Sequence, residues 1–385
     1  MDLTPFNLTN TILLGAGPIN CSERVLRALS MQTMGPVDKA AIELMDETKE
    51  MLKKVFHTTN RLTFPQQTSG SGGLETVVSN ILEPGDKLIV AIGGVWGERT
   101  ADIAEIYKAE VVRLRKETGE VYSLDELEKE IAKHRPKLLF ITHGESSTGV
   151  LQPLEGLADI CHKYNCLLAV DAIITLCSDP LYVDHWKLDI VVGGTQKAVG
   201  APPGFALLTF SPRAEKVILE RKTPVPFYFN VKGIANYWNC LDGQRHYYYT
   251  YSTNMIAALR EALAEKLEEG MENVWNRHRT VSTHLWKRME SIGLKLFIQK
   301  EKNRLHSINT YVLPDGIEWT VLLDHVYEKY NISLSFGIGP TANRAIRVGL
   351  MGVNSRMAMV DHIVKVLEES IAHCRSNGRG NVKNQ

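Results

Sequence analysis

The stretch Leu188-Asp-Ile-Val-Val-Gly-Gly-Thr-Gln-Lys197 decides the fold, because an apolar run ends there in two glycines and then a lysine. A second stretch, Cys166-Leu-Leu-Ala-Val-Asp171, has the same apolar character and ends in an aspartate. Short continuous apolar runs bounded by turn residues are typical of strands that are buried on both faces. We therefore expect two strands of one sheet, with Asp171 and Lys197 at the same edge.

Other parts of the chain repeat this alternation of short apolar runs with stretches of helical periodicity. Further strands are predicted at Lys87–Ile92, Glu110–Leu114, Lys137–Thr142 and Phe205–Phe210. Helices are predicted at about 40–56, 123–134 and 155–164. Continuous apolar strands separated by helices predict an α/β fold with a mostly parallel sheet covered on both faces. Such sheets bind ligands at the carboxyl ends of their strands.

The length of the chain, 385 residues, favours two domains over one. The predicted division is an N-terminal arm at 1–22, a large domain at 23–270, a smaller C-terminal α/β domain at 271–375 and a disordered tail at 376–385. The arm is expected to be irregular because Gly15-Ala-Gly-Pro18 disfavours regular structure. The tail is expected to be disordered because it is rich in glycine and asparagine.

Composition excludes several classes of function. Lys+Arg and Asp+Glu both total 44, so a nucleic-acid partner is not expected. The six cysteines form no CxxC pair and no zinc pattern, so we expect reduced thiols and no metal site. No apolar stretch is long enough to span a membrane, and the first residues lack a basic segment followed by an apolar one. The ending Val382-Lys-Asn-Gln385 is not a peroxisomal signal, so the cytosol is the expected compartment.

A cluster of small residues, Thr68-Ser-Gly-Ser-Gly-Gly73, precedes a helical run at 74–82. Small residues at a helix start let backbone N–H groups approach an anion, and the helix dipole favours negative charge there. The Ser71 hydroxyl would be an extra donor to a phosphate. Similar clusters also occur as ordinary helix caps, so this motif by itself leaves both interpretations open.

Two residues at the predicted strand ends have more than one interpretation. Trp96 is flanked by glycines, and its indole either stacks on a planar ligand, worth about 0.5–1.5 kcal/mol, or fills a gap in the core. Asp171 is the one charged residue in 166–177 and needs a cationic or hydrogen-bonding partner. A metal-binding aspartate of a nucleotide hydrolase is disfavoured, because the chain lacks a Gly-x-x-x-x-Gly-Lys-Ser/Thr loop.

A lysine and an aspartate at one sheet edge are the pair that a pyridoxal phosphate (PLP) enzyme requires. The lysine binds the aldehyde as a Schiff base, and the aspartate faces the pyridine nitrogen. Burial of Lys197 beside cationic or apolar groups would lower its pKa, as this chemistry needs. Arg347 lies in the apolar segment Arg344-Ala-Ile-Arg-Val-Gly-Leu350, where it either forms a structural pair or binds a substrate carboxylate.

In their order along the chain, these motifs resemble the class V aminotransferases of PLP fold type I. The resemblance is greatest to the alanine–glyoxylate (serine–pyruvate) aminotransferases and their insect relatives, the 3-hydroxykynurenine transaminases. It runs from Leu13 to about His373. Its most specific motifs are His143-Gly-Glu-Ser-Ser-Thr-Gly-Val-Leu-Gln-Pro153, Cys166–Asp171, Thr195-Gln-Lys197 with Ala201-Pro-Pro-Gly204, and Arg347-Val-Gly-Leu-Met-Gly352.

The resemblance implies roles for individual residues. Lys197 would be the Schiff-base lysine and Asp171 the partner of the pyridine nitrogen. The other residues implied to contact the cofactor are Ser71, Gly72, Gly73, Trp96, Ser146, Ile173 and Gln196. Tyr247 and Thr250 would reach a phosphate in the neighbouring subunit of a homodimer. The substrate side would include Ile19, Asn20 and Arg347, with Arg347 holding the carboxylate.

The chain departs from the family pattern at several positions. Gly73 stands where a histidine is usual, Ile19 replaces a hydroxyl residue, and Ile173 narrows the expected space beneath the ring. The usual Tyr-His-His-Thr has become Tyr247-Tyr-Tyr-Thr250. These changes bear on the substrate more than on the cofactor.

The expected function is transfer of an amino group from a small amino acid, alanine or serine, to glyoxylate or pyruvate. Two alternatives stay open at this point. One keeps the cofactor and changes the reaction, to a kynurenine-type transaminase or to a lyase or decarboxylase. The other is a PLP-binding relative without turnover, which retention of Lys197, Asp171 and Arg347 disfavours.

Overall fold

The computed structural model of the protein describes residues 10–378, so predictions for 1–9 and 379–385 lie outside the described residues. The strands of this part of the chain are β1 (Ile12–Leu13), β2 (Leu62–Gln67), β3 (Lys87–Ile92), β4 (Glu110–Arg115), β5 (Leu138–Thr142), β6 (Gly144–Glu145), β7 (Val150–Leu151), β8 (Leu167–Asp171), β9 (Ile190–Gly194), β10 (Phe205–Phe210), β11 (Ile308–Val312), β12 (Ile332–Ser333), β13 (Ser335–Phe336) and β14 (Ala345–Gly349). The helices are α1 (Glu23–Leu29), α2 (Lys39–Phe56), α3 (Gly70–Ile81), α4 (Val95–Ile106), α5 (Leu124–His134), α6 (Leu157–Lys163), α7 (Pro212–Glu220), α8 (Val231–Tyr237), α9 (Thr253–Glu269), α10 (Met271–Ser291), α11 (Trp319–Tyr330) and α12 (Met357–Gly378).

The central sheet has seven strands in the order β2-β10-β9-β8-β5-β3-β4. Strand β10 runs antiparallel to both of its neighbours, and the remaining pairs are parallel. The predicted α/β fold with a mostly parallel sheet is therefore confirmed. The strands predicted at Lys87–Ile92 and Phe205–Phe210 have the predicted bounds, whereas β9 begins and ends two residues later than the apolar run Leu188–Val192 predicts.

One strand of this sheet was missed by sequence reasoning. Strand β2 reads Leu62-Thr-Phe-Pro-Gln-Gln67, and its proline and paired glutamines hide the strand pattern. Pro65 is tolerated because β2 is an edge strand that pairs only with β10. The neighbouring helix α3 begins at Gly70 rather than at Leu74, because Ser69 caps it: the Ser69 Oγ accepts the Gly72 N–H at 3.3 Å.

Four segments of the central sheet deliver side chains to one edge. Strand β8 ends in Asp171, and β9 leads into a single π-helical turn, Thr195–Val199, that contains Lys197. Strand β5 is followed by His143, and β3 is followed by the first turn of α4. Because β3, β5, β8 and β9 are parallel, their carboxyl ends meet at the same edge, as the sequence predicted.

The hydrophobic residues form two clusters. The larger cluster surrounds the central sheet, and the smaller one packs α10, α11 and α12 against the antiparallel sheet β11-β14-β13. Helix α10 belongs to both, since Trp275 packs in the larger cluster and Leu285 in the smaller. The division predicted at 270/271 stays a prediction, and it falls beside a helix that the two cores share.

The N-terminal arm is not wholly irregular. Strand β1 pairs in parallel with β12. The arm therefore joins the part of the molecule that is built around the smaller hydrophobic cluster, which we call the smaller half. The Asn20 amide stabilises this arrangement, because it donates to Thr11 O at 2.9 Å and accepts from Leu13 N–H at 2.8 Å. The arm then crosses to the central sheet, where Ala16 meets Lys197.

Helix α12 reaches further along the chain than predicted. It continues through Gly378, so 376–378 of the predicted tail are helical, while 379–385 lie outside the described residues. Among residues 10–378, no helix combines the length and the apolar composition that crossing a membrane requires.

Candidate active site

A cavity opens at the carboxyl edge of the central sheet. Its lining residues are Ser69, Gly70, Ser71, Leu74, Trp96, Gly144, Ser146, Asp171, Ile173, Ile174, Gln196 and Lys197. It thus brings together seven of the predicted site residues: Ser71, Trp96, Ser146, Asp171, Ile173, Gln196 and Lys197. A wider depression of about 580 Å³ elsewhere is lined by an Arg61–Glu215 ion pair and none of these residues.

Lys197 lies in the π-helical turn after β9 and reaches back to the N-terminal arm. Its Nζ donates a hydrogen bond to Ala16 O. The arm approaches closely at Gly17, where φ is +95° and an added Cβ would lie 2.5 Å from Lys197 Nζ. Burial lowers the pKa of Lys197 to about 8, and the positive charge of Arg347 acts in the same direction. A fraction of the amine is therefore without its proton at physiological pH.

Asp171 ends β8 and is 3% exposed. Its Oδ1 accepts a hydrogen bond from Ile173 N–H at 2.9 Å, and within residues 10–378 no donor bonds to Oδ2. Burial raises the pKa of Asp171 to about 7, against the effects of that hydrogen bond and of Lys197. A buried carboxylate with a vacant acceptor is a site for a cationic or N–H group of a ligand.

The start of α3 forms the opposite end of the cavity. The amides of Gly70 and Ser71 have no partner within the helix, and Ser71 lines the cavity. Gly72 and Gly73 do not line it. A Cβ at Gly73 would lie 2.6 Å from the Ala206 Cβ, so this glycine permits close packing of α3 on the sheet. Gly73 as a cofactor contact stays a prediction that this position does not favour.

A hydrogen bond at the edge of the indole ring fixes the Trp96 side chain. The indole Nε1 donates to Ser146 Oγ at 2.7 Å, and Trp96 lies in the first turn of α4 beside the cavity. The Arg99 guanidinium carbon lies 5.1 Å from the centre of the indole ring. An indole fixed at its edge offers a face to a planar ligand.

Arg347 lies behind Ser146 and is 6% exposed. Its Nη1 donates to Ser146 O and its Nε to Phe336 O, both at 2.9 Å. Within the described part of the chain, no protein acceptor bonds to Nη2. Burial lowers the pKa of Arg347 to about 10, and the negative charge of Glu145 opposes this shift. The guanidinium therefore stays charged and keeps donors for an anion.

Besides Gly72, Gly73 and Arg347, four further predicted residues do not line the cavity. Ile19 packs towards Gly352, where an added Cβ would be 2.5 Å from its Cδ1, and the Asn20 amide is occupied by the arm. Tyr247 and Thr250 are exposed, and their hydroxyl groups share a hydrogen bond of 2.5 Å. Substrate contact by Ile19 and Asn20 stays a prediction, and the roles of Tyr247 and Thr250 concern a second subunit.

Glu145 is the charged residue of the site that sequence reasoning missed. It is 2% exposed and raises the pKa of Asp171. The signal was present, since Glu145 is the only acid in 143–153 and follows a predicted strand, as Asp171 does. Within residues 10–378, no group of three or more His, Cys, Asp or Glu side chains is placed to hold a metal.

Together these groups suit a flat ring with an anionic group at one end. The start of α3 offers free amides and the Ser71 hydroxyl to an anion. The carboxylate of Asp171 suits a protonated ring nitrogen, and Trp96 offers an aromatic face. Lys197 supplies an amine of lowered pKa for an aldehyde. This set of donors fits PLP.

Known proteins are similar to this chain in sequence and in fold. The family model described as aminotransferase class-V matches residues 24–360. An alanine–glyoxylate aminotransferase of Felis catus is 41% identical over 376 residues, which cover 97% of this chain and 91% of that protein.

Two solved structures are similar over nearly all of the chain. The alanine–glyoxylate aminotransferase from Nostoc sp. has a TM-score of 0.93 and 36% identity, and covers 96% of this chain and 98% of its own. The ureidoglycine–glyoxylate aminotransferase from Bacillus subtilis has a TM-score of 0.93 and 32% identity, with 96% and 95% covered. The similarity therefore extends to both halves of the molecule.

Proposed function

The chain belongs to the class-V aminotransferase family, and on this premise we propose that it is a PLP-dependent enzyme that transfers the amino group of alanine to glyoxylate. The observation that carries the proposal is the meeting of Lys197 and Asp171 in one cavity with the start of α3. The pKa of the lysine is lowered and that of the aspartate is raised, which is common among groups that work on a bound ligand.

The residues of the cavity would divide the cofactor between them. Lys197 would bind the aldehyde, and Asp171 the ring nitrogen. Ser71, Gln196 and the first amides of α3 would bind the phosphate, and Trp96 would cover a face of the ring. When bound, PLP supplies an aldehyde that condenses with amines and a ring that accepts electrons from the adjoining carbon.

Lys197 is the residue suited to move the proton of the substrate. An amine with a pKa of about 8 exists in part without its proton near neutral pH. Its Nζ can therefore take the proton from the substrate α-carbon. Asp171 keeps its negative charge when a cation occupies the vacant Oδ2, and it then holds the ring nitrogen protonated.

Arg347 is the residue suited to bind the substrate carboxylate. Its backbone partners, Ser146 O and Phe336 O, fix the guanidinium, while Nη2 keeps its hydrogens for an anion. A carboxylate bound there would be oriented with its α C–H bond fixed, which favours abstraction of one hydrogen.

The names of the relatives support glyoxylate as the amino-group acceptor more strongly than they support alanine as the amino-group donor. The two kinds of relative share glyoxylate as the acceptor and differ in the donor, alanine or ureidoglycine. Glyoxylate is therefore the part of the proposal with the broader support. Transaminase rates measured with alanine plus glyoxylate and with 3-hydroxykynurenine plus a 2-oxo acid distinguish this proposal from the main alternative, a kynurenine-type transaminase.

A visible spectrum tests the proposal. We expect purified protein with added PLP to show the absorbance band of a lysine-bound aldehyde, and alanine to bleach it. The Lys197→Ala variant should bind PLP without that band, because the amine is gone. Wild-type protein without the band would contradict cofactor binding, and a band that alanine leaves unchanged would contradict the proposed donor.

We also infer that the protein is a homodimer with a shared active site. Tyr247 is 50% exposed, and Thr250 beside it is exposed as well. Exposed aromatic residues with hydroxyl groups suit a surface that contacts a second copy. In such a dimer these two residues would bind the phosphate of the partner's site.

A further inference from the structure

A buried glutamate, Glu145, connects the loop after β5 to the start of α4, which carries Trp96. Glu145 ends the short strand β6, and both of its carboxylate oxygens accept hydrogen bonds. Oε1 accepts from Ser147 N–H at 3.0 Å and from the Ser147 hydroxyl at 2.6 Å, and Oε2 accepts from Trp96 N–H at 3.3 Å. Gly94 allows this approach, since an added Cβ would lie 2.6 Å from the Glu145 Cδ.

Glu145 and Ser147 act as the cap that α4 lacks. The residue before α4 is Gly94, which has no side chain to bond the first free amides. Ser147 Oγ accepts the Val95 N–H at 3.2 Å, and Glu145 accepts the next amide, that of Trp96. A negative charge at this end also interacts favourably with the helix dipole. The start of α4 is therefore set by a loop from a different strand.

The same loop connects to Arg347 and to the smaller half of the molecule. Ser146 accepts the Trp96 indole N–H on its hydroxyl and the Arg347 Nη1 on its carbonyl. The next carbonyl, Ser147 O, accepts the Thr341 hydroxyl at 2.6 Å. A displacement of this loop would therefore move the indole and the guanidinium together.

We propose that Glu145 is a positioning residue that aligns Trp96 with the cofactor ring and Arg347 with the substrate carboxylate. The inference rests on the proposed function and deepens it, because it names what keeps the two binding groups in register. Glu145 itself does not line the cavity. Its charge contributes as well, since it favours the charged form of the buried Arg347.

The test is the Glu145→Gln variant, which keeps the shape of the side chain. Glutamine loses the charge and has one acceptor oxygen in place of two, so it cannot accept from both Ser147 and Trp96 N–H. We expect the dissociation constant of PLP and the KM for glyoxylate to rise by about tenfold each, the effect of losing a hydrogen bond to a charged group. PLP binding to apo-protein is followed by the visible band, and KM by steady-state kinetics.

Two further variants make the result decisive. Glu98→Gln changes a carboxylate of the same first turn of α4 that pairs with Arg115 on the surface, and it should leave both constants unchanged. Ser147→Ala keeps the charge of Glu145 but removes two hydrogen bonds of the cap, and should shift both constants in the same direction by a smaller factor. If Glu145→Gln does not fold, Ser147→Ala decides.

The outcomes separate this inference from the proposed function. Wild-type protein without PLP binding or transamination overturns both. An active wild type with unchanged constants in Glu145→Gln overturns the inference alone. So does a variant that loses only thermal stability, because a purely structural cap would leave the constants of the folded protein unchanged. The increase in both constants, absent in Glu98→Gln, supports it.

Discussion

The two central charges of the site are both destabilised by burial. Burial raises the pKa of Asp171 to about 7 and lowers that of Lys197 to about 8. Each group is thus near its point of half-ionisation at physiological pH, although the usual pKa values of the two side chains are far apart. A ligand that brings a cation to Asp171 and an aldehyde to Lys197 relieves both costs. The residues are therefore arranged for the bound state.

Removal of the Asp171 carboxyl should change how the stability of the apo-protein depends on pH. The unfolded chain releases this proton near pH 4 and the folded chain near pH 7, so the contribution of Asp171 to stability falls as pH rises through that window. Asp171→Asn lacks this loss. Relative to wild type, its free energy of unfolding should rise by about 2–4 kcal/mol between pH 4 and pH 7.

Urea denaturation without PLP at several pH values measures this difference. Asp315→Asn, at an exposed carboxylate, is the matched control and should follow the wild-type curve. Parallel curves for wild type and Asp171→Asn would contradict the raised pKa. The prediction concerns the apo-protein only, because a bound cation at Oδ2 cancels the effect.

At the level of elements, the cavity is shaped by close contacts between its glycines and Ile173. A Cβ at Gly70, the first residue of α3, would lie 2.7 Å from the Ile173 Cδ1, and one at Gly194, the last of β9, 2.9 Å from its Cγ2. The Ile173 side chain therefore lies between the start of α3 and the end of β9. Its neighbours must be glycines for the two elements to approach.

A pair of substitutions should reveal this contact. Gly70→Ala forces the Ile173 Cδ1 to move, and we expect a loss of about 1–3 kcal/mol in stability together with weaker PLP binding. Ile173→Val removes that methyl group and leaves the other contacts at 3.5 Å or more. The double variant should therefore regain most of the loss, as measured by thermal unfolding and PLP titration. Additive losses in the double variant would show that Ile173 is not the obstacle.

Elements were predicted to different degrees. The strands β3 and β10 and the helix α2 were predicted to within a residue, because their apolar periodicity is local information. Strand β2 was missed because its proline is acceptable only at a sheet edge, and the strand order decides where the edge is. The early start of α3 follows from the cap by Ser69, which the run of small residues concealed.

At the level of the whole molecule, the site is assembled from distant parts of the chain. The arm contributes Ala16, the central sheet contributes Asp171 and Lys197, and the smaller half contributes Arg347. The arm also pairs with β12, so one segment ties the lysine to the smaller half. In the proposed dimer, Tyr247 would add a contribution from a second copy.

Mixed dimers test that shared site. Lys197→Ala and Tyr247→Phe homodimers should both be weak at limiting PLP, because each lacks one group in both sites. After unfolding and refolding together, half of the dimers would have one site with both groups intact, so activity should return to about a quarter of wild type. Light scattering gives the mass of the assembly. A monomer, or activity no greater than the sum of the separate variants, would contradict the proposal.

The sequence by itself determined the fold class and named most of the side chains that line the cavity's charged and aromatic walls, since buried strands, strand-end acids and small-residue loops are local patterns. Lys197, Asp171 and Trp96 could be named because each follows an apolar run whose carboxyl end must lie at the sheet edge. Only the tertiary structure decided which neighbours shift their pKa values and which residues leave the cavity.

The pKa shifts and the set of residues that line the cavity depend on contacts between parts of the chain that are distant in sequence, and no local pattern predicts these contacts. Asn20 bonds within the arm and to Asn354 and does not line the cavity, and Gly73 faces the sheet. Glu145 became visible as a cap only once α4 and the loop after β5 were placed together. Packing in three dimensions, through burial and hydrogen-bond geometry, sets the role of a residue whose type and spacing permit several.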